Sequence, residues 1–360
     1  MTPQSRQAGP PPKRSFVPEM FFLCLLLLVV LVAIRGKKEN VRVADAWIAS
    51  VAPLLRENFV SVGYQTSYLL MKAYNIFEIY CTGRRNCFYL HGVLQCLPRQ
   101  CLWRQYFLRQ FFKSNPEYTA DSITLEVLLP HSPEPSVVAL CRRADQKRLN
   151  DNWDLREFGK LRTSSTNTRL SQLPGNLVAF SDTSEALDAT FLNSKNTIKA
   201  LNACSSYFRY LYISDICLSI HPSVQPTALS CTASRAPPPA SDKTRRILRM
   251  SFFLPPPEKM AEVEPLLRLL FFLTDSSRQL NLSDKTVEVA RKMRMQYQKD
   301  LMKKQDAQRL EQMEKKRSEK KRQEEERFER MTPEQQRKFE EKEYKKSLKQ
   351  KGRFKVFKVG

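Results

Sequence analysis

The sequence predicts an α+β fold with a single N-terminal transmembrane helix, a mixed α/β cytosolic domain and a long charged C-terminal helix. Three observations support this prediction. Residues 20–34 form an uninterrupted apolar run, residues 40–280 alternate between helix-like and strand-like patterns, and residues 284–330 contain neither Pro nor Gly. Because Gly and Pro are the usual interruptions of a helix, the last stretch is expected to be continuous.

The positive charge of the chain is concentrated towards its C-terminal end. The 360 residues carry a formal net charge of +23, and residues 284–360 hold 26 Lys and Arg against 15 Asp and Glu. A charge of this size says nothing about the fold, but it favours association with a polyanion. We therefore expect nucleic acid or an anionic membrane surface as the partner of this region.

The apolar run is long enough to cross a thin membrane. Together with residues 16–19 it covers 19 residues, or about 28 Å as a helix, which suits the bilayer of the endoplasmic reticulum. A cleaved signal peptide is the competing interpretation, but residues 35–38 (Arg-Gly-Lys-Lys) follow where a small-residue cleavage site is expected. We assign residues 19–35 to a transmembrane helix and residues 1–18 to a short N-terminal tail.

Charge alone leaves the orientation of this helix nearly undecided. Three basic residues precede the apolar run and four follow it, and this slight excess favours a cytosolic location for the C-terminal part. The nine cysteines fit that location as small buried hydrophobes, because disulfides are rare in a reducing compartment. A disulfide framework in a secretory lumen is the alternative, and the glycosylation sequon at Asn281 would fit it. Pairing of Cys96 with Cys101 is left open.

The body of the chain, residues 40–280, is expected to fold as the cytosolic domain. Apolar residues spaced three and four apart indicate helices, and short runs rich in β-branched and aromatic residues indicate strands. Residues 222–243 are rich in Pro, Ser and Ala and are expected to be a disordered insertion. The predicted helices cover residues 43–55, 102–112, 142–158, 196–207 and 265–274, and the predicted strands cover residues 76–80, 88–94, 122–129, 136–140, 210–213 and 246–253.

The body offers little sign of catalytic chemistry. The sequence has no Gly-rich phosphate loop, no carboxylate pair that stands out, and only three histidines to serve as metal ligands. Cys87 and His91 could be imagined as a nucleophile and its base, but nothing around them marks a nucleophile, so we interpret them as strand residues of a packed sheet. The sequence therefore predicts a protein that is not an enzyme and has neither cofactor nor metal.

The C-terminal region is expected to form a long basic helix, residues 284–351, which the sequence Met-Thr-Pro breaks at residues 331–333 and which a basic tail follows at residues 352–360. Ser283 is expected to cap its start. The intermittent apolar stripe ends at Met313 and residues 314–327 contain no apolar residue, so the region lacks the sustained heptads of a coiled coil. We expect ion pairs between its own Glu and Lys or Arg side chains to support it.

The basic side chains of this helix and tail are the candidate binding residues. Positive charge interleaved with aromatic residues suits phosphate contact together with stacking on RNA. Because no RNA-binding fold motif accompanies them, sequence-specific recognition is not expected. The candidate RNA-contacting residues are Lys315, Lys316, Arg317, Lys320, Lys321, Arg322, Arg337, Lys338, Lys345, Lys346, Lys349, Lys351, Arg353, Lys355 and Lys358.

Three segments and their order carry a resemblance to a known family. They are Val-Ala-Asp-Ala-Trp at residues 43–47, Ala-Leu-Cys-Arg-Arg-Ala-Asp-Gln-Lys-Arg-Leu at residues 139–149, and Arg-Ile-Leu-Arg-Met-Ser-Phe-Phe-Leu-Pro at residues 246–255. With the basic helix that closes the chain, they resemble the calumin family of coiled-coil-containing endoplasmic reticulum membrane proteins, subunits of the PAT complex. The resemblance extends over residues 20–360, with a shortened N-terminus.

The resemblance implies a single-pass protein of the endoplasmic reticulum membrane with its bulk facing the cytosol. Such a protein belongs to a translocon chaperone complex that assists the insertion and folding of multipass membrane proteins. Its implied partners are the ribosome through its rRNA, a small hydrophobic membrane subunit, the protein-conducting channel and nascent multipass clients. The family is also linked to calcium homeostasis through an acidic lumenal segment, whereas Glu19 is the only acid among residues 1–19 here. A structural membrane tether, whose basic helix binds an anionic surface, is the alternative function.

Overall fold

A computed structural model describes residues 16–65, 67–101, 104, 111, 119–130, 134–163, 167–216, 246–329, 336 and 345. The chain divides into two compact units, residues 1–291 and residues 292–360. The first unit contains the apolar run and the sheet domain, and the second contains most of the charged helix.

The described residues form one antiparallel sheet of ten strands. Hydrogen bonds connect the strands in the order β1-β3-β4-β5-β10-β9-β6-β8-β7. β2 also pairs with β3, at residues 76–78, whereas β1 pairs with residues 81 and 82 of the same strand. The strands are β1 (Ser61–Val62), β2 (Leu70–Ala73), β3 (Ile76–Thr82), β4 (Tyr89–Gln95), β5 (Ser122–Leu129), β6 (Val137–Arg142), β7 (Lys160–Arg162), β8 (Leu177–Ser181), β9 (Phe208–Ser214) and β10 (Arg246–Phe253).

The last strand of the chain lies at the centre of the sheet. β10 pairs with β5 on one side and with β9 on the other, so that Met250 lies opposite Leu125 of β5 and Leu211 of β9. Every residue of β10 is buried, including the polar Arg246, Arg249 and Ser251. The consecutive strands β5 and β6 are consequently not neighbours, because β10 and β9 lie between them.

The helices of the described residues differ greatly in length. Those over the sheet run for four to 13 residues, whereas the first and last helices have 42 and 46. The α-helices in this part of the chain are α1 (Val17–Asn58), α2 (Gln146–Asn150), α3 (Trp153–Phe158), α4 (Ser184–Leu187), α5 (Lys195–Ala203), α6 (Glu264–Ser276) and α7 (Asp284–Glu329).

The first helix joins the apolar run to the core of the sheet domain without a break. Residues 19–35 and 43–55 were expected as separate helices, but both belong to α1. The apolar run is exposed in the chain by itself, whereas Val43, Trp47 and Val51 are buried at a spacing of four on the face towards the sheet. Among the described helices, α1 alone is long and apolar enough to cross a membrane.

Apolar side chains cover both faces of the sheet. On one face α1, α5 and α6 complete the main core, where the rings of Phe59 and Phe271 meet edge to face with centroids 5.7 Å apart. On the other face Leu149 of α2 and Leu155 of α3 pack with β6 side chains such as Ala139. Two faces covered by helices explain why the central strands lack the alternation of a half-exposed sheet.

The structure confirms most of the predicted elements and corrects others. The strands predicted at residues 122–129 and 246–253 have the predicted bounds. The single helix predicted at residues 142–158 is wrong, because it divides into a 3-10 turn, α2 and α3. Asn152 stands between the two helices with extended backbone angles, φ −62° and ψ 125°.

Several predicted features lie outside the described residues. They are the N-terminal tail as far as residue 15, most of the helix predicted at residues 102–112, the insertion at residues 222–243, the interruption at residues 331–333 and the tail at residues 352–360.

Candidate functional site

The long charged helix α7 begins at a small polar junction. The carbonyl of Ser283 accepts a hydrogen bond from the Val287 amide at 3.0 Å, which gives Ser283 the predicted N-cap position. The Glu185 carboxylate accepts hydrogen bonds from the Ser283 amide, at 2.8 Å, and from the hydroxyls of Ser283 and Thr286. These bonds, led by that from the Ser283 hydroxyl, hold the pKa of Glu185 below its usual value.

Among the described side chains of α7, the buried and half-buried ones are confined to the first part of the helix. The buried and half-buried positions recur three and four residues apart and define one face of the helix. From residue 302 to residue 319 every side chain is exposed, including the apolar Met302 and Met313. The apolar stripe was predicted to reach Met313, but it is buried or half-buried only as far as Leu301, about three turns earlier. The members at this spacing are Val287, Ala290, Arg294, Tyr297 and Leu301.

The described candidate RNA-contacting residues lie beyond this face. Lys315 pairs with Glu311 one turn earlier, with the Lys315 Nζ 2.7 Å from the Glu311 Oε1. For Lys320 and Lys321 the structure describes the backbone, as part of α7. The exposed candidates are Lys315, Lys316, Arg317, Arg322 and Lys345. The candidates outside the described residues are Arg337, Lys338, Lys346, Lys349, Lys351, Arg353, Lys355 and Lys358.

The arrangement of these exposed charges suits a long anionic surface. The four on α7 follow one another along the helix instead of converging on a point, so neighbouring phosphates of a polymer could each meet one cation. Exposed ion pairs such as Lys315–Glu311 contribute little to stability and are screened by salt, so the cations can exchange partners.

A second basic surface was not anticipated from the sequence. We call it the arginine groove: a cleft of about 860 Å³ at the C-terminal end of α1, lined by four arginines with Glu57 and Asp275. The charges of its two acids offset those of two arginines. The four arginines are Arg56, Arg84, Arg85 and Arg278.

Hydrogen bonds and ring contacts organise the arginine groove. The Arg84 Nη2 donates to the Asp275 Oδ2 at 2.7 Å, and the Arg84 guanidinium lies 5.1 Å from the centroid of the Phe271 ring. The Arg278 Nη1 donates to the Asn86 Oδ1 at 2.9 Å. Arg84 and Asn86 lie in the connection between β3 and β4, and the C-terminal ends of α1 and α6 lie beside it.

The Cys87 and His91 pair lacks the features of a catalytic pair. Burial raises the pKa of the Cys87 thiol to about 12, which keeps it protonated near neutral pH. The imidazole of His91 faces Glu78, with the His91 Nε2 3.6 Å from the Glu78 Oε2. The interpretation as a strand residue is confirmed for His91, which lies on β4, and is wrong for Cys87, which lies in the connection between β3 and β4.

Buried charged side chains form pairs across the sheet. The Arg249 Nη2 on β10 donates to the Glu126 Oε2 on β5 at 2.8 Å, and the two residues face each other in register. The Asp154 carboxylate accepts a hydrogen bond from the Tyr212 hydroxyl, and burial raises the pKa of Asp154. Buried charges need partners of this kind, so the pairs are explained by the fold without a ligand.

All seven described cysteines are free, Cys96 and Cys101 included, and burial raises the pKa of Cys81, Cys96 and Cys141 to about 12. Among the described residues no group of three or more His, Cys, Asp or Glu side chains is placed to hold a metal ion. The calcium link therefore stays an expectation from the family resemblance.

Comparison with known proteins identifies relatives along most of the chain. A protein of Danio rerio described as PAT complex subunit CCDC47 is 27% identical over 343 residues, which are 91% of this chain and 67% of that protein. The Homo sapiens protein of the same description is 26% identical over 318 residues, 84% of this chain and 62% of that protein. An uncharacterised Arabidopsis thaliana protein is 34% identical over 89 residues, 23% of this chain and 18% of that protein.

The chain spans about two thirds of the length of these CCDC47 relatives. The names of the relatives describe a complex subunit, and none of them names an enzymatic activity. A family model described as PAT complex subunit CCDC47 matches residues 15–350, which include the apolar run, the sheet domain and α7. The chain therefore belongs to the CCDC47 family of PAT complex subunits.

Proposed function

We propose that this chain is an endoplasmic reticulum membrane subunit of a ribosome-associated chaperone complex of the PAT type. In this role it assists the insertion and folding of multipass membrane proteins, beside a small hydrophobic membrane subunit and the protein-conducting channel. The family match over residues 15–350 carries the proposal, because it covers the apolar run, the sheet domain and α7 together. The apolar part of α1 crosses the membrane once, and the sheet domain faces the cytosol.

In this proposal the basic helix α7 contacts ribosomal RNA. Its exposed cations between Lys315 and Arg322 meet phosphates, and the exposed Lys345 adds a further cation. Because phosphate contacts release counterions, the affinity falls steeply with salt. The lack of an RNA-recognition motif in the sequence suits a partner that presents one fixed surface, as a ribosome does.

Sedimentation with ribosomes tests the role of α7. The test variant replaces four exposed cations of α7 by Gln: Lys315, Lys316, Arg317 and Arg322. The matched control removes the same charge from the sheet domain, by Lys→Gln at the exposed Lys147, Lys195, Lys199 and Lys259. Both variants and the unaltered chain are solubilised from microsomes in detergent and sedimented with ribosomes at several salt concentrations.

The proposal predicts a loss of sedimentation for the α7 variant and little change for the control. For four lost phosphate contacts, the slope of log affinity against log salt should decrease by about three. Equal binding by both variants would show that α7 does not contact the ribosome. A protease-protection experiment on intact microsomes tests the orientation, since protection of α7 by the lumen would contradict it.

The alternative is a structural tether whose α7 binds an anionic membrane. The full exposure of residues 302–319 favours neither partner, since either surface could meet such a helix. Unchanged ribosome sedimentation of the α7 variant, together with weaker binding to vesicles that contain phosphatidylserine, would support the tether.

A further inference from the structure

A hairpin of the sheet meets α1 directly beyond the apolar run. The Asn40 Nδ2 of α1 donates to the carbonyl of Tyr74, in the turn between β2 and β3, at 2.9 Å. The Lys37 Nζ lies 5.4 Å from the centroid of the Tyr74 ring. Asn40 is fully buried in this contact, so the position of the hairpin along α1 is fixed.

A loop reaches α1 at the same level. The Arg99 Nη1 donates to the Asn40 Oδ1 at 2.8 Å, and the Arg99 guanidinium pairs with Asp121 through two hydrogen bonds of 2.9 and 2.8 Å. Gly36 of α1 allows this approach, because a Cβ added there would lie 2.5 Å from the carbonyl carbon of Arg99. The hairpin turn and the loop therefore form the end of the sheet domain nearest the apolar run.

The distance from the apolar run to this end of the domain is short. Ile34 is the last residue of the run, Lys37 follows it by about 4.5 Å along the helix, and Asn40 follows it by about 9 Å. The polar layer on each side of a bilayer is roughly 5–8 Å thick. If the hydrocarbon core ends near Ile34, the Tyr74 ring, which contacts the Lys37 ammonium, lies at the depth of the phospholipid headgroups, and the Asn40 contact lies at the outer edge of that layer.

The exposed side chains at this level have the composition of an interfacial surface. Tyr74 is 56% exposed and Met71 is 43% exposed on the hairpin, and Lys38 is exposed on α1 next to Lys37 in the sequence. Tyrosine is enriched at membrane interfaces because its ring is apolar and its hydroxyl is polar. The basic Lys37 and Lys38 complement anionic headgroups.

We infer that the β2–β3 hairpin tip lies in the headgroup layer of the membrane that α1 crosses. We call this the interfacial surface and define it by Lys37, Lys38, Met71 and Tyr74. Its ligand is a phospholipid headgroup layer that contains anionic lipid. The inference rests on the proposed membrane crossing of α1, and it adds a second contact that sets how the sheet domain stands on the membrane.

Quenching of an added tryptophan by brominated lipid tests this inference. The full chain carries Tyr74→Trp and is reconstituted in phosphatidylcholine vesicles, with and without phosphatidylserine, whose acyl chains are brominated near their carbonyl ends. The matched control is Phe88→Trp, an aromatic residue that is 63% exposed next to the opposite end of β4. The native tryptophans give the same background in both variants.

We expect brominated lipid to quench most of the added emission of Tyr74→Trp and to leave that of Phe88→Trp unchanged. The quenching should increase with phosphatidylserine, and Lys37→Gln with Lys38→Gln should remove that increase. Equal quenching of the two tryptophans, or none in either, would overturn the inference. Flotation of the same vesicles separates the two proposals: chain that floats without quenching of Tyr74→Trp is anchored but has no interfacial surface, whereas chain that does not float contradicts the membrane crossing itself.

Discussion

The two long helices of this protein, α1 and α7, are of similar length and are stabilised in opposite ways. α1 has 42 residues, and its second half is buried in the core of the sheet domain. α7 has 46 residues, and beyond residue 301 its described side chains are exposed. A long helix can thus derive its stability from tertiary packing or from its own local interactions, and its tolerance of substitution should differ accordingly.

The largest expected effect is a substitution on the buried face of α1. Trp47 is 1% exposed, so Trp47→Ala should lower the free energy of unfolding by about 3–5 kcal/mol. The contrasting substitution is Met313→Ala on α7, where the side chain is 61% exposed and the expected change is within about 0.5 kcal/mol. Urea unfolding in detergent measures both. Similar losses for the two variants would contradict the distinction between the helices.

The next effect concerns the close approach of a loop to α1 at Gly36. A Cβ at this position meets backbone atoms of Arg99 and Gln100 at 2.5–2.6 Å. Gly36→Ala should therefore destabilise the chain by about 1–3 kcal/mol, although alanine has the better helix propensity. Gly175→Ala is the control, because nothing lies within 4 Å of a Cβ added there. Gly36→Ala of unchanged or increased stability would show that the loop moves away without cost.

A smaller effect is expected where α7 begins. The pKa of Glu185 is lowered in the folded chain, so its contribution to stability is present above the unfolded value of 4.5 and is lost as the pH falls through the folded value. Glu185→Gln should cost at most about 1 kcal/mol at neutral pH and less in acid. Urea unfolding of both chains at neutral pH and at a pH below 4.5 measures how this cost changes. A cost that grows in acid would have the wrong sign.

The smallest effect tests the local support of α7. Glu311→Gln and Lys315→Gln remove the two partners of an exposed ion pair one turn apart. A double-mutant cycle should give a coupling of about 0.3–0.5 kcal/mol at low salt that disappears at high salt. Amide exchange along α7 measures it. A coupling that persists at high salt would mean that something other than screened charge holds this part of the helix.

Local patterns in the sequence predicted many of the elements. Strands β5 and β10 were predicted with their observed bounds, because each is rich in apolar residues and is followed closely by Pro. The short strands β1, β2, β7 and β8 were missed. The continuity of α1 was missed because the charged residues after Ile34 end the apolar pattern, although charge does not end a helix.

The two basic surfaces also differ in whether they could be predicted from the sequence. Exposed cations on α7 could be predicted, because a run of charge without Pro or Gly indicates an exposed helix wherever it occurs. The arginine groove could not, because Arg56, Arg84 and Arg278 are far apart in sequence and meet through the packing of α1 against β3 and α6. Tertiary proximity of this kind is absent from the local patterns of a single sequence.

The unbroken course of α1 has a mechanical consequence. The helix passes from the apolar run into the core of the domain without interruption. The loop packs against Gly36 and the hairpin is hydrogen-bonded to Asn40, so no flexible segment separates the two parts. If α1 spans the bilayer, any tilt it adopts to match the local thickness becomes a rotation of the whole sheet domain. A change of about 10° in tilt would move the far end of α1, about 35 Å from the membrane, by about 6 Å. The local thickness of the bilayer would then determine where the distal surface of the domain lies, and with it the arginine groove.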